Sequence, residues 1–255
     1  MSAENDLPGW AATHPGAWDG LRAAWRDRFS ALPWRCAATG DPGVVDAEIW
    51  RDWDVRESTP DQLRIEHYLD RHALRGRTIL HVGIGNSRLA QRFIACGATV
   101  IGTTVSPPEL ERARSLGIAG YDVQLANKHS GTPPAAAGSV DFVVDNNPTT
   151  FCCCMEHLGT MLAGYADVLA PAGQFVTDRV GLSWIAAAEE ANPRWSFDGD
   201  DLAAAAAPFG LRLWARGRHT IVLARKEPPP TGWIGAARRH VRRAARALQR
   251  LRGGA

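Results

Sequence analysis

The sequence offers no uninterrupted apolar run of the ~18–20 residues that a membrane-spanning helix requires, so no transmembrane segment is expected. The first residues, Met1-Ser2-Ala3-Glu4-Asn5-Asp6, are acidic and lack the apolar centre of a secretory signal, which makes a cytoplasmic location the expectation. Cysteine is scarce. The five are Cys36, Cys96 and the run Cys152-Cys153-Cys154. An odd count with an adjacent triple argues against a disulfide framework. No C-x-x-C spacing brings two thiolates to one zinc, so no metal site is expected and the thiols read as buried space-fillers. Internal repeats are absent as well. Acidic residues are missing from 228–255, a stretch that holds seven arginines, so the rest of the chain is net −5 (the whole-chain +2 less those seven). A mildly acidic body with a basic tail follows.

What is present has the periodicity of an alternating α/β protein. The stretch Thr78-Ile79-Leu80-His81-Val82 is apolar and of strand length, and it runs into Gly83-Ile84-Gly85-Asn86-Ser87. Two glycines two residues apart permit a sharp turn and close approach of a ligand to the peptide groups. Asn86 and Ser87 are N-cap types, so the free amides of a following helix would face the crevice above the strand. Anionic or hydroxyl-bearing ligands suit such a place. Further strands are expected at 98–105, 121–126, 140–145 and 174–178, with intervening helices from Pro107 to about Gly117 and from Met155 to Leu169. Val140 to Asp145 is almost continuously apolar, as a strand buried on both faces should be. A short helix at 200–207 precedes two strands, 211–216 and 220–224, at hairpin spacing. Upstream, Thr59-Pro60-Asp61-Gln62 is a strong helix start, with proline at N1 and glutamine at the capping-box position. The predicted fold is α/β: a doubly wound, mostly parallel seven-stranded sheet with a C-terminal antiparallel hairpin.

Two extensions flank this body. Residues 1–58 carry Trp10, Trp18, Trp25, Trp34, Trp50 and Trp53 between Pro8, Pro15, Pro33 and Pro42. Within them 16–29 has the spacing of an amphipathic helix, read as a helical cap or a lid. Residues 59–226 form the sheet domain. Residues 227–255 comprise a polyproline spacer, Pro228-Pro229-Pro230, and a basic amphipathic helix. Either the lid or this helix is a candidate surface for a protein partner. Nucleic acid is not expected, because no aromatic residue follows Trp233 to stack on bases.

The order of elements from about Asp61 to Lys226 resembles the class I S-adenosylmethionine-dependent methyltransferases. The resemblance rests on His81-Val82-Gly83-Ile84-Gly85, on Val100-Ile101-Gly102-Thr103-Thr104-Val105-Ser106-Pro107, on Val140 to Asp145, on Leu169-Ala170-Pro171-Ala172-Gly173-Gln174-Phe175, and on the closing hairpin. It implies S-adenosylmethionine as cofactor and a small-molecule substrate methylated at nitrogen or oxygen, with a place in biosynthesis. In such sheets ligands lie over the carboxyl ends of the strands. The expected cofactor contacts are therefore His81, Gly83, Gly85, Asn86, Ser87, Thr104 and Asn127. The family carries an acid at the start of the glycine motif and another at the end of strand two, which holds the ribose hydroxyls. Here His81 and Thr104 stand in those places. A carboxylate accepts two charge-assisted bonds where threonine makes a neutral one.

Asp145-Asn146-Asn147-Pro148 ends strand four and partly resembles the N-P-P-Y type motif of amino-group methyltransferases. Asn146 and Pro148 match, Asn147 replaces a proline, and Thr149 stands where an aromatic is expected, with Phe151 nearby. Asp145, Asn146 and Asn147 are the expected catalytic groups, together with His157, one turn into the next helix, whose intrinsic pKa suits a general base. Asp178, at the end of strand five, reads as a salt-linked loop acid. Two other readings accompany methyl transfer. In one the fold is repurposed for elimination or intramolecular cyclisation, which the two replaced acids favour and which no longer requires the cofactor. In the other the chain is a non-catalytic, partner-binding subunit.

Overall fold

The structure, a computed structural model, describes residues 7–35, 58–150, 152–182 and 196–225. The basic tail, Trp50, Trp53, Cys36 and Phe151 lie outside the described residues.

Seven strands form one sheet in the order β3-β2-β1-β4-β5-β7-β6. They are β1 (Thr78–Val82), β2 (Thr99–Thr104), β3 (Tyr121–Leu125), β4 (Val140–Asp145), β5 (Leu169–Asp178), β6 (Arg212–Arg216) and β7 (Thr220–Ala224). The first five are parallel; β7 runs antiparallel to both β5 and β6. The strand order reverses between β1 and β4, which opens a crevice at their carboxyl ends. In register, His81 lies between Gly102 and Val144, and Val82 pairs with both Thr103 and Asp145.

Helices cover both faces. Ile79, Val100, Phe142, Val144 and Val176 point to one side, where they pack with Ile65 and Leu69 of α2 (Pro60–Leu69) and Leu89 and Phe93 of α3 (Arg88–Ala95). Leu80, Val82, Val143 and Phe175 point to the other, against Met155, Leu158, Leu162 and Tyr165 of α5 (Met155–Val168). That alternation is the period-two geometry of a strand applied to a two-sided core. α2 starts as its sequence dictates: Pro60 opens the first turn, and the Thr59 amide donates to Gln62 Oε1 at 3.0 Å.

The N-terminal helix α1 (Ala17–Arg28) joins the α5-side core through Leu21, with Phe29 and Leu32 after it. It seats closely because α5 presents Gly159 there: a Cβ on that glycine would lie 2.4 Å from Leu21 Cδ2. Two departures from sequence expectation occur near β5. The strand starts at Leu169 rather than at Gln174, because α5 stops at Val168 and Leu169, already extended, pairs with Val140. It is followed by a four-residue helix, α6 (Arg179–Leu182), that the sequence pattern does not announce. Its start is fixed by Asp178, whose Oδ1 accepts the Val180 amide at 3.0 Å.

Candidate functional site

The glycine turn is pinned from below and open above. Gly83 and Gly85 have φ of +73° and +49°, a left-handed region that glycine enters without penalty, and a Cβ on either would meet nothing within 4 Å. The amides of Gly83 and Ile84 both donate to Thr103 O, at 2.9 and 3.2 Å, which stitches the turn to β2. Ser87 does not cap α3 with its hydroxyl. It sits at φ +62°, fully buried, and its Oγ accepts from the Tyr121 hydroxyl at 3.0 Å. Asn86 does the capping instead, its Oδ1 taking the Arg88 amide at 3.2 Å.

At the end of β2, Thr104 is buried and its Oγ1 does two things. It accepts the Ser106 amide at 3.0 Å and donates to Glu109 Oε2 at 2.5 Å. Glu109 belongs to the first turn of α4 (Pro107–Ser115) and is itself 7% exposed. Burial raises its pKa, while the Thr104 hydroxyl and the nearby Gly85 backbone act the other way. A buried carboxylate therefore stands between the strand-two end and the glycine turn. Sequence reading overlooked it, although Ser106-Pro107-Pro108-Glu109 has the S-x-x-E spacing that turns a glutamate back toward the residue before its helix.

Across the crevice, Asp145 ends β4 as the centre of a closed network. Its Oδ2 accepts from the Tyr165 hydroxyl at 2.7 Å and from Lys128 Nζ at 3.1 Å, and its Oδ1 takes the Asn147 amide at 3.0 Å. Lys128 also donates to Asn147 O. Burial and the neighbouring Asp145 charge hold the Tyr165 phenol protonated, well above its usual pKa. Asn146 Nδ2 donates to Asp61 of α2, while Asn146 Oδ1 is buried without a partner. Beside it Arg64 makes a two-pronged pair with Asp178, both contacts 2.8 Å, which gives that acid the salt-linked role expected of it. Lys128, Tyr165, Asp61 and Arg64 escaped sequence analysis; they meet the strand ends only through the fold.

The structure separates His157 from this network's bonding. Its Nδ1 lies 2.9 Å from Cys153 Sγ and 3.3 Å from Cys154 Sγ, whereas the bonds of Asp145 go to Lys128, Tyr165 and Asn147. The turn of α5 carries the His157 ring toward the cysteines. Cys152 and Cys154 are buried free thiols as expected, but Cys153 is disulfide-bonded, which corrects the reading of five plain thiols. A disulfide sulfur is no thiolate ligand, so although the donor atoms of Cys153, Cys154 and His157 lie within 4.8 Å of one another, they do not make a zinc set in this state.

His81 is fully buried, its Nδ1 lacks a hydrogen-bond partner, and burial pushes its pKa down to about 4. At neutral pH it is an uncharged ring, chemically unlike the acid whose place it takes. Asn127 follows β3; its Oδ1 accepts the His129 amide at 2.9 Å, and it lines a small cavity with Thr103, Lys128 and Tyr165. His129 is buried too, its pKa lowered to about 3 by burial and then by Lys128. Thr150 Oγ1 and Thr177 Oγ1 are further buried polar atoms without partners near the ends of β4 and β5. Buried polar atoms are normally satisfied, which sets these orphaned atoms apart from the rest of the core.

Comparison with known proteins agrees with this geometry. A family profile described as a methyltransferase domain matches residues 79–173. Over 126 residues, 44% of this chain, the sequence is 28% identical to the mitochondrial ubiquinone biosynthesis O-methyltransferase of Schizosaccharomyces pombe; the match spans 41% of that relative's length. Among solved structures, the CcbJ methyltransferase of Streptomyces caelestis superposes with a TM-score of 0.58 at 17% identity, covering 74% of this chain and all of the other. A TehB-like S-adenosylmethionine-dependent methyltransferase from Corynebacterium glutamicum gives 0.51 at 17% identity, covering 70% and 95%. A methyltransferase domain thus spans β1 to the start of β5, and the seven-stranded sheet built around it has the fold of the class I S-adenosylmethionine-dependent methyltransferases.

Proposed function

We propose that the protein transfers a methyl group from S-adenosylmethionine to an oxygen or nitrogen of a small-molecule biosynthetic substrate, in the cytoplasm. The observation that carries this is the open glycine turn, with a buried carboxylate at the β1–β2 crevice and a polar surface at the ends of β4 and β5. The donor set suits the cofactor. A Cβ on Gly83 or Gly85 would meet no atom of the rest of the protein within 4 Å, Glu109 offers anionic acceptors for a diol, and Asn127 lines a small cavity with Thr103. When bound, the cofactor supplies a methyl group already activated by a sulfonium sulfur, so the protein's task is chiefly orientation.

The strand-four residues support that task. Asp145, tied by Lys128, Tyr165 and the Asn147 amide, holds the Asn146-Asn147 loop in place and has little accepting capacity left for a substrate proton. Its contribution is to fix where the acceptor sits. Asn146 Oδ1 and Thr150 Oγ1 are the buried acceptors left to orient that substrate. An oxygen acceptor is favoured over nitrogen, given the O-methyltransferase relative and the lack of an aromatic at Thr149 to stack on a planar amine. Ala17, Leu21, Phe29 and Leu32 pack on this domain, which supports a cap or lid role for the N-terminal segment, and the basic composition of 227–255 suits a protein partner.

Calorimetric titration with S-adenosylmethionine and S-adenosylhomocysteine, followed by transfer of labelled methyl to a panel of phenols, carboxylates and amines, tests the reading. Binding of both nucleosides with label appearing on an oxygen is expected. Gly85→Val, which fills the open space above the turn, should abolish that binding. Binding without transfer to any acceptor would favour the repurposed-enzyme alternative, and absence of binding would overturn the proposal.

A further inference from the structure

We propose that Glu109, from the first turn of α4, is the carboxylate that accepts the ribose hydroxyls of the cofactor, in place of the acid that the family carries at the end of strand two. The inference rests on the methyltransferase reading and deepens it.

Position is the first argument. Glu109 Oε2 lies 2.5 Å from the side-chain oxygen of Thr104, the residue that occupies the family's acidic position. The carboxylate thus stands one hydrogen bond from where a strand-two acid would end. It reaches there because Ser106 and the two prolines after it start α4 immediately beyond the strand, and a glutamate in the third helical position turns back toward the helix start. In the usual arrangement such a glutamate accepts the N-cap amide. Here Thr104 Oγ1 takes the Ser106 amide at 3.0 Å, which frees Glu109 to reach past it to the glycine turn.

Accepting capacity is the second argument. Two carboxylate oxygens offer about four acceptor sites. The Thr104 hydroxyl fills one, and the Gly85 backbone amide is near enough to act on another. Both donors are neutral, so the carboxylate is buried with neither a balancing cation among these contacts nor its full set of hydrogen bonds, a costly arrangement for a purely structural acid. A vicinal diol supplies two hydroxyl donors, the number outstanding. The backbone of Gly85 lies close enough to lower the acid's pKa, and a Cβ on Gly85 would meet no atom within 4 Å. The acid is held in place by the very turn over which the nucleoside would lie.

Glu109→Gln keeps the shape and one acceptor oxygen, so the turn should stay bonded, and its thermal unfolding is expected to match the parent closely. Calorimetry on the full chain with S-adenosylhomocysteine should show affinity falling roughly 5- to 150-fold, the usual cost of replacing charge-assisted hydrogen bonds. A second readout separates ribose recognition from a merely structural role. Adenosine, 2′-deoxyadenosine and 3′-deoxyadenosine are competed against S-adenosylhomocysteine. The parent should prefer the intact diol, and the Glu109→Gln variant should bind the three nucleosides nearly equally. Glu109→Asp, which retains the charge on a shorter arm, should keep part of the preference. If Glu109→Gln binds like the parent, or weakens all three nucleosides equally while keeping the preference, Glu109 is only a pin for the turn and the inference falls while the methyltransferase reading stands. If the parent protein does not bind S-adenosylhomocysteine, both fall.

Discussion

The Lys128 ammonium stands 3.1 Å from Oδ2 of Asp145, and the Tyr165 hydroxyl closes on the same oxygen at 2.7 Å. Both members of the ion pair are largely withdrawn from water. An ion pair of this kind is more consequential when broken than when intact, because removing one partner leaves a buried charge uncompensated.

Asp145→Asn is therefore expected to lower the unfolding free energy by about 3–5 kcal/mol, the range for loss of one member of a buried pair. The sequence places Asp145 among the expected catalytic groups, and the structure adds that it is one half of a buried ion pair. Lys128→Met should cost a similar amount for the mirror reason. The double variant, which leaves neither charge, should be less destabilised than the two single effects combined. Chemical denaturation of the four proteins measures this, and strict additivity would show that the pair is not coupled.

A second prediction concerns acid. Folding lowers the pKa of His81 to about 4 and of His129 to about 3, from an ordinary value near 6.5, because each ring is buried. Between those values and 6.5 the unfolded chain binds protons that the folded chain refuses, so stability rises with pH across that window and is lost on acidification. Burial raises the pKa of Glu66 and Glu109 above 4.5, and these acids act in the opposite direction, costing stability as pH climbs past their unfolded value. Two histidines shifted by more than two units each contribute several kcal/mol in principle, so the histidine effect should dominate below pH 6. Stability followed by denaturant titration from pH 7 to 4 should fall steeply, and His129→Gln should flatten the curve. A parent curve that is flat across this range would refute the assignment.

The contact between Leu21 and Gly159 makes α1 inseparable from the sheet domain. Adding one methyl by Gly159→Ala puts a carbon 2.4 Å from Leu21 Cδ2, with Trp10 and Phe209 close behind. Overpacking at such a site costs about 1–3 kcal/mol. Leu21 is fully buried, and Leu21→Ala alone should cost about 2–5 kcal/mol by leaving a cavity. Combining the two lets the new methyl occupy part of that cavity, so the double variant should be more stable than the sum predicts. A sum that holds would mean the helix is not seated where the structure puts it.

How much of this was legible beforehand depends on sequence separation. β1, its glycine turn and β4 are written locally, as apolar runs ending in turn formers, and β4 matches its expected span of 140–145. The start of α2 was equally local. By contrast, Tyr165 reaches Asp145 from 20 residues away, and Arg64 reaches Asp178 from 114. No periodicity encodes such pairs, since they depend on which strand becomes whose neighbour. Glu109 is the intermediate case. It lies only five residues from Thr104, and its helix-start spacing was visible. Its role is hidden because the family keeps its acid at the strand end itself, whereas this glutamate belongs to the following helix. The longer β5 is hidden for another reason: Pro171 and Gly173 read as a stop, yet both fall in the register shift between the Val140–Leu169 and Phe142–Gln174 pairs.

The last prediction turns on that same position. On the sequence alone, Thr104→Asp restores the family's acid and should tighten cofactor binding. With Glu109 Oε2 2.5 Å from the threonine hydroxyl, the substitution instead sets a second carboxylate against one that is already buried. Two carboxylates so close cannot both ionise freely, and one is driven to hold a proton. The change also removes the hydroxyl that donates to Glu109. Thr104→Asp is therefore expected to destabilise the protein at neutral pH, to recover some stability as the pH is lowered toward the carboxylate range, and to bind S-adenosylhomocysteine more weakly than the parent. In a Glu109→Ala background the repulsion is gone, and the same Thr104→Asp substitution should restore affinity, because the strand-two acid then stands alone in the family's position. Calorimetry on the parent, the two single variants and the double variant decides it. Tighter binding by Thr104→Asp with Glu109 intact would show that the glutamate does not occupy the ribose side of the crevice.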